Sequence, residues 1–148
     1  GRVLGRIGEK GNGQGGFVVP SAHFDLAIGS VGELWVVDPG RHLLIAFGRD
    51  GERRSTWGRT GTEPEGFSGC CNPTDVAIRR DGSFVTSEKG LVRVKLYTPA
   101  GDLVGVVAGS DQFDEGVSGL DLAADSAGRI LVLDPVRLEV RVFEVRQK

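Results

Sequence analysis

The chain has 148 residues, with 18 Lys+Arg against 20 Asp+Glu and a formal net charge of −2. That length suffices for one domain with its own core, while the even charge leaves no basic stripe of the kind nucleic-acid binding requires. No apolar run approaches the roughly 18 residues of a membrane span. The opening GRVLGRIGEK has no apolar leader core, so a soluble chain is expected and its compartment stays open.

One register is used three times along the chain. Gly32, Gly82 and Gly128 are 50 and 46 residues apart. Six residues after each stands an acid (Asp38, Glu88, Asp134), and fifteen after each an aromatic (Phe47, Tyr97, Phe143). Seven before each lies Asp25, Asp75 or Asp121, in the strings FDLAI, TDVAI and LDLAA. Self-similarity at such a period means one supersecondary unit copied, each copy burying its apolar face on a neighbour.

In chain order, Gly1 aligns with Gly51 and Gly101. VLGRIG (3–8), within segment 1–10, is therefore predicted to be a fourth, outer strand standing before any first three. GNGQGG (11–16) reads as a connector and not as a phosphate loop, because no helical pattern follows it. The first unit covers 20–60 and the second 70–110. In the second, DVAI (75–78), SFVTSE (83–88), LVRVKLY (91–97) and DLVGVVAG (102–109) are short apolar runs separated by turn residues, which predicts a four-stranded meander. Its third strand alternates Val92, Val94 and Leu96 against Arg93, Lys95 and Tyr97, predicting one packed face and one wet face. The third unit, 113–148, ends after VRVFEVRQK and has no fourth run of its own.

An alanine recurs in the first strand of every unit, at 27, 77 and 123, as expected where sheets converge on an axis. Four-stranded meanders of this length arranged radially are propeller blades; a solenoid of stacked sheets is the runner-up. Trp35 and Trp57 align with Val85, Leu131 and Val107 and are expected in the core, and His42 aligns with Val92 and Leu138, which favours packing.

The strings FGRDG, FSGCCNPTDVAIRRDGSF and ILVLDPVRLEVRVF resemble the NHL-repeat family of β-propellers along essentially the whole chain. The resemblance implies an all-β fold with three four-stranded blades, the N-terminal outer strand completing the last blade of a closed ring. Such rings usually have six blades. The chain is accordingly expected to form a homodimer that closes a six-bladed ring, or to be one half of a longer chain. The family serves as protein-binding platforms, RNA binders and metal-dependent lyases.

In a propeller the loops before the first strand and between the second and third strands open on one face. That face is expected to carry His23, Asp25, Cys70, Cys71, Asn72, Asp75, Asp121, Glu88 and Lys89. The three aspartates either ring a hard cation such as Ca²⁺ or accept hydrogen bonds from loop N–H groups. Cys70 and Cys71 break the repeat, aligning with Pro20 and Ser21 in one unit and Gly116 and Val117 in the other. They are open to three readings: thiolate ligands of Zn²⁺ or Cu⁺, a vicinal disulfide, or small buried residues. The leading expectation is a binding or scaffold module presenting this face to a protein or small-molecule partner. The alternative is a metal-dependent lyase or hydrolase, or a redox accessory, using a channel or Cys-Cys metal site.

Overall fold

The computed structural model describes residues 1–8 and 16–145. Apart from Gly16, the connector expected over 11–16 lies outside them, as do the last three residues of the third unit. The chain is all-β. β1 (Leu26–Ile28), β2 (Leu34–Asp38), β3 (Leu43–Phe47) and β4 (Arg53–Trp57) form one antiparallel sheet in that order. β5 (Asp75–Ile78), β6 (Phe84–Glu88), β7 (Arg93–Tyr97) and β8 (Leu103–Ala108) form a second. After a short 3₁₀ turn at Ser110–Gln112, β9 (Asp121–Ala124), β10 (Ile130–Asp134) and β11 (Glu139–Phe143) make a three-stranded third. The described residues of the N-terminal segment 1–8 carry no strand pairing, and the three sheets do not close on one another. No helix among the described residues is long and apolar enough to cross a membrane.

The glycines that mark the repeat sit where only they fit easily. Gly32, Gly82 and Gly128 close the turns between the first and second strands with φ of 84°, 83° and 79°, a left-handed conformation that a Cβ disfavours. Each also donates its N–H three residues back, to Gly29, Arg79 and Asp125. The repeat in sequence is thus a repeat of tight turns, and the turns fix strand register.

The sheets pack face to face in series, giving two inter-sheet core clusters, and a third, smaller cluster of Val36, Ile45 and Phe47 with Phe17 covers the outer face of the first sheet. Between the first and second sheets lie Trp35, Val37, Leu44, Ala46, Phe67, Val76, Phe84 and Tyr97. Between the second and third lie Ala77, Val85, Val94, Leu96, Phe113, Leu122, Ile130 and Val132. Each fully buried aliphatic or Phe side chain contributes roughly 1.5–3 kcal/mol of transfer free energy. Trp35 is core, as expected, and Trp57 packs at the margin of the same cluster.

The alternation read in β7 needs correction. Its second face is not wet: Arg93, Lys95 and Tyr97 are 6%, 0% and 1% exposed. The physical reason is position. The middle sheet has a neighbour on each side, so both its faces are packed, and period two distinguishes which neighbour a residue meets instead of core from solvent.

Candidate functional site

Two carboxylate devices, each repeated in the first two sheets, shape the expected face, one on the second strand and one on the first. Asp38 accepts the Val18 N–H at 2.9 Å and Glu88 accepts the Ser68 N–H at 2.7 Å, each from 20 residues upstream. Both pin the lead-in loop to its own sheet. Glu88, expected beside the mouth, is in fact 1% exposed. It receives Arg93 Nε at 2.7 Å and Arg93 Nη2 at 3.0 Å, with Lys95 Nζ 3.1 Å away. One carboxylate between two cations in a buried interface needs every remaining donor satisfied. Lys95 duly donates to the Gly66 and Pro64 carbonyls at 2.7 and 3.2 Å and sits 4.3 Å from the Phe67 ring centroid. Burial nevertheless brings the Lys95 ammonium down to about 8, against the opposing pull of Glu88. Arg93 and Lys95 escaped the sequence reading because their alternation looked like an ordinary solvent face; the signal that could have found them is that the middle sheet of three has no solvent face.

The first-strand aspartates form a relay between sheets. Asp25 Oδ2 accepts the Val76 N–H at 2.9 Å, and Asp75 Oδ1 accepts the Leu122 N–H at 3.0 Å. Each therefore holds the first strand of the next sheet, a variant of the backbone-bonding alternative weighed from sequence. Asp121 makes no such bond among the described residues. Burial pushes the Asp75 carboxyl up to about 8, reinforced by the charges of Asp25 and Asp121. Among the described residues no group of three or more His, Cys, Asp or Glu side chains is arranged to hold a metal ion.

The loop that breaks the repeat is held from within by side-chain hydrogen bonds. Asn72 is fully buried, its amide donating to the Ser68 carbonyl at 2.7 Å and the Lys89 carbonyl at 3.0 Å. Its Oδ1 accepts the Lys89 N–H at 2.9 Å. Glu88 and Asn72 together thus clamp residues 68–72 to the β6–β7 turn. Cys70 and Cys71 are joined as a vicinal disulfide, Cys70 exposed and Cys71 4% exposed, with Cys71 at φ 70°. With the bond formed neither sulfur is a thiolate, the form a metal would require. Lys89 is half-buried beside this loop, and the Lys89 charge adds to burial in lowering the His23 pKa. His23 in turn lies against Gly119, where an added Cβ would come within 3.0 Å of Cε1.

Of the nine expected face residues, His23, Lys89 and Cys70 keep accessible side chains around this loop, and Asp121 is exposed on β9. Asn72 and Glu88 are interior supports, and Asp25 and Asp75 are relay residues. Sequence reasoning overlooked Arg79 on the opposite face. It bridges to the third sheet through the Gly128 carbonyl at 3.0 Å and binds Asp81 and Ser83. It also borders an open cleft of about 370 Å³ with Leu96, Pro99, Val104 and Val145. Arg79 aligns with Gly29 and Asp125, and that departure from the repeat was the available signal.

Solved structures similar to this chain are of virginiamycin B lyase from Staphylococcus aureus. A catalytically inactive histidine-to-alanine variant with quinupristin matches at a TM-score of 0.54 and 12% identity, covering 88% of this chain and 44% of that one. The selenomethionine-substituted lyase matches at 0.51 and 12%, covering 88% and 45%. This chain spans less than half the length of those structures, and at such identity the likeness shows the fold alone: an all-β, propeller-like series of blades. No family model matches the chain, and no curated protein matches it.

Proposed function

We propose that the chain is a binding module of NHL-like propeller type whose contact surface is the face built around residues 68–72, Lys89 and His23. One observation carries this reading. Among the described residues, the loop at 68–72 departs from the repeat, is held from within by Asn72 and Glu88, and presents Cys70 outward. A preformed loop loses little conformational freedom on binding, which is how a small surface gains affinity. Asp25, Asp75 and Glu88 are already engaged with backbone N–H groups, and Glu88 also with buried cations, which favours recognition over acid–base chemistry. Lys89 and the neutral imidazole of His23 suit an aromatic or anionic group on a small molecule or peptide. The test is ¹⁵N–¹H correlation spectroscopy of the full chain against a library of aromatic carboxylate fragments. Shifts should cluster at 22–24, 69–72, 89–90 and 118–121, and Lys89→Ala should weaken the best fragment at least fivefold. Shifts clustered on the Arg79 cleft, or no binding to either face, would overturn the reading.

A further inference from the structure

We infer that Cys70 and Cys71 are a redox-gated dithiol site: closed as the disulfide, and once reduced a two-sulfur chelate for a soft, thiophilic ion such as Cu⁺. The site lies on the loop of the proposed contact face. It does not depend on that face taking an aromatic or anionic ligand.

The fold gives the disulfide little structural work. It joins adjacent residues, and the stabilisation from a crosslink grows with the length of chain it encloses. The loop is already held by other groups. Asn72 bonds the Ser68 carbonyl and both backbone groups of Lys89, and Glu88 takes the Ser68 N–H. The other two units place Pro20 and Ser21, or Gly116 and Val117, at the same two positions. A blade therefore has no need of sulfur there, and the pair is left for chemistry.

Exposure sets the order of events. Cys70 is exposed and Cys71 buried, so the thiolate of an external thiol reductant attacks the Cys70 sulfur. That step breaks the Cys70–Cys71 bond, and the Cys71 sulfur leaves and takes up a proton. A second equivalent of the thiol then displaces Cys70 from the mixed disulfide. The pair gains two electrons and two protons, and the reductant departs as its own disulfide. Because Asn72 and Glu88 hold the loop without the sulfurs, both thiols stay side by side after reduction. Donors fixed in this way lose little freedom on closing around one ion. Soft thiolates select Cu⁺ among biological ions, and two sulfurs alone fall short of the four-donor shell of structural Zn²⁺. Binding Cu⁺ releases the two thiol protons.

The test uses the full chain under anaerobic conditions with two probes, phenylarsine oxide and Cu⁺ supplied from a competing chelator. Native mass spectrometry should show neither probe on the oxidised chain. After reduction with dithiothreitol and its removal, one phenylarsine oxide should add per chain with loss of one water, or one Cu⁺ per chain. Cys70→Ser, at an exposed position, should keep the β-sheet circular dichroism and weaken Cu⁺ by about a hundredfold, because a single donor forfeits chelation. Asn72→Ala keeps both sulfurs but frees the loop, and should weaken Cu⁺ by roughly tenfold, as loss of a supporting residue does at metal sites. Equal uptake by the oxidised chain overturns the gate. A reduced chain that titrates two thiols yet takes up neither probe overturns the site, as does Cu⁺ affinity indifferent to Cys70→Ser. Fragment binding is read on the oxidised chain alone, so failure of the contact-face reading and failure of this one are separate results.

Discussion

The two internal interfaces use one register and solve it with different chemistry. Between the first and second sheets the packing is aromatic and ionic: Trp35 and Phe84 meet at 4.7 Å between centroids, and Trp57 and Tyr97 at 4.8 Å. Beside them lies the buried cluster of Glu88, Arg93 and Lys95. Between the second and third sheets the packing is almost wholly aliphatic, with Val85, Val94, Ile130 and Val132 at 0% exposure. The repeat therefore dictates where blades touch and not how. An ionic interface fixes a particular arrangement, because its donors reach named carbonyls of the lead-in loop. An aliphatic one tolerates substitution as long as volume is kept.

The largest effect should come from breaking that contrast at its charged side. Glu88→Gln leaves Arg93 and Lys95 buried together without a counter-charge and weakens the hold on the Ser68 N–H. Removing one member of a buried ion cluster typically costs about 3–5 kcal/mol. Ile130→Val at the other interface should cost only about 1 kcal/mol. Urea denaturation of the two variants measures both; equal losses would mean that the buried charges contribute no more than shape.

A pH scan sharpens the same comparison, because the interfaces titrate in opposite directions. Asp75, raised to about 8 mainly by burial, holds a proton in the folded chain that the unfolded chain has already released above the ordinary carboxylate range. Its contribution is present at acidic pH and is lost as pH rises towards 8. Lys95, lowered to about 8 mainly by burial, releases its proton in the folded chain first. Stability is then regained as pH rises from about 8 towards the ordinary lysine range. The expected profile has a trough near pH 8. Asp75→Asn should flatten the acidic limb and Lys95→Met the alkaline one. A monotonic profile for the unaltered chain would contradict this.

Most of the blade architecture was legible in sequence, for a local reason. Strand ends are set by turn glycines with positive φ, and these are visible as letters at fixed intervals; DVAI at 75–78 coincides with β5. What each strand face meets was less legible, because that depends on neighbours far along the chain. Lys95 looks wet by alternation and is enclosed by Phe67 and the Gly66 carbonyl. Asp75 looked like a loop lock and grips another blade. The face residues split the same way. Cys70 and Cys71 stood out because they break the repeat, whereas the supporting roles of Glu88 and Asn72 require coordinates.

The smallest expected effect concerns the disulfide, and it separates what rigidifies the face from what decorates it. A disulfide stabilises chiefly by restricting the unfolded chain, in proportion to the loop it closes. Cys70 and Cys71 are adjacent, so the closed loop is minimal and its removal should cost about 1 kcal/mol or less. The loop is instead fixed by Asn72, whose three hydrogen bonds reach Ser68 and Lys89, and by Glu88 at the Ser68 N–H. Replacing both cysteines by serine should therefore leave the urea midpoint nearly unchanged and keep amide exchange at Lys89 slow. Asn72→Ala, with the disulfide intact, should speed that exchange markedly, because the Lys89 N–H loses its acceptor. If the serine variant frees Lys89 while Asn72→Ala does not, the clamp lies in the sulfurs, and the face is ordered by its redox state instead of its buried amide.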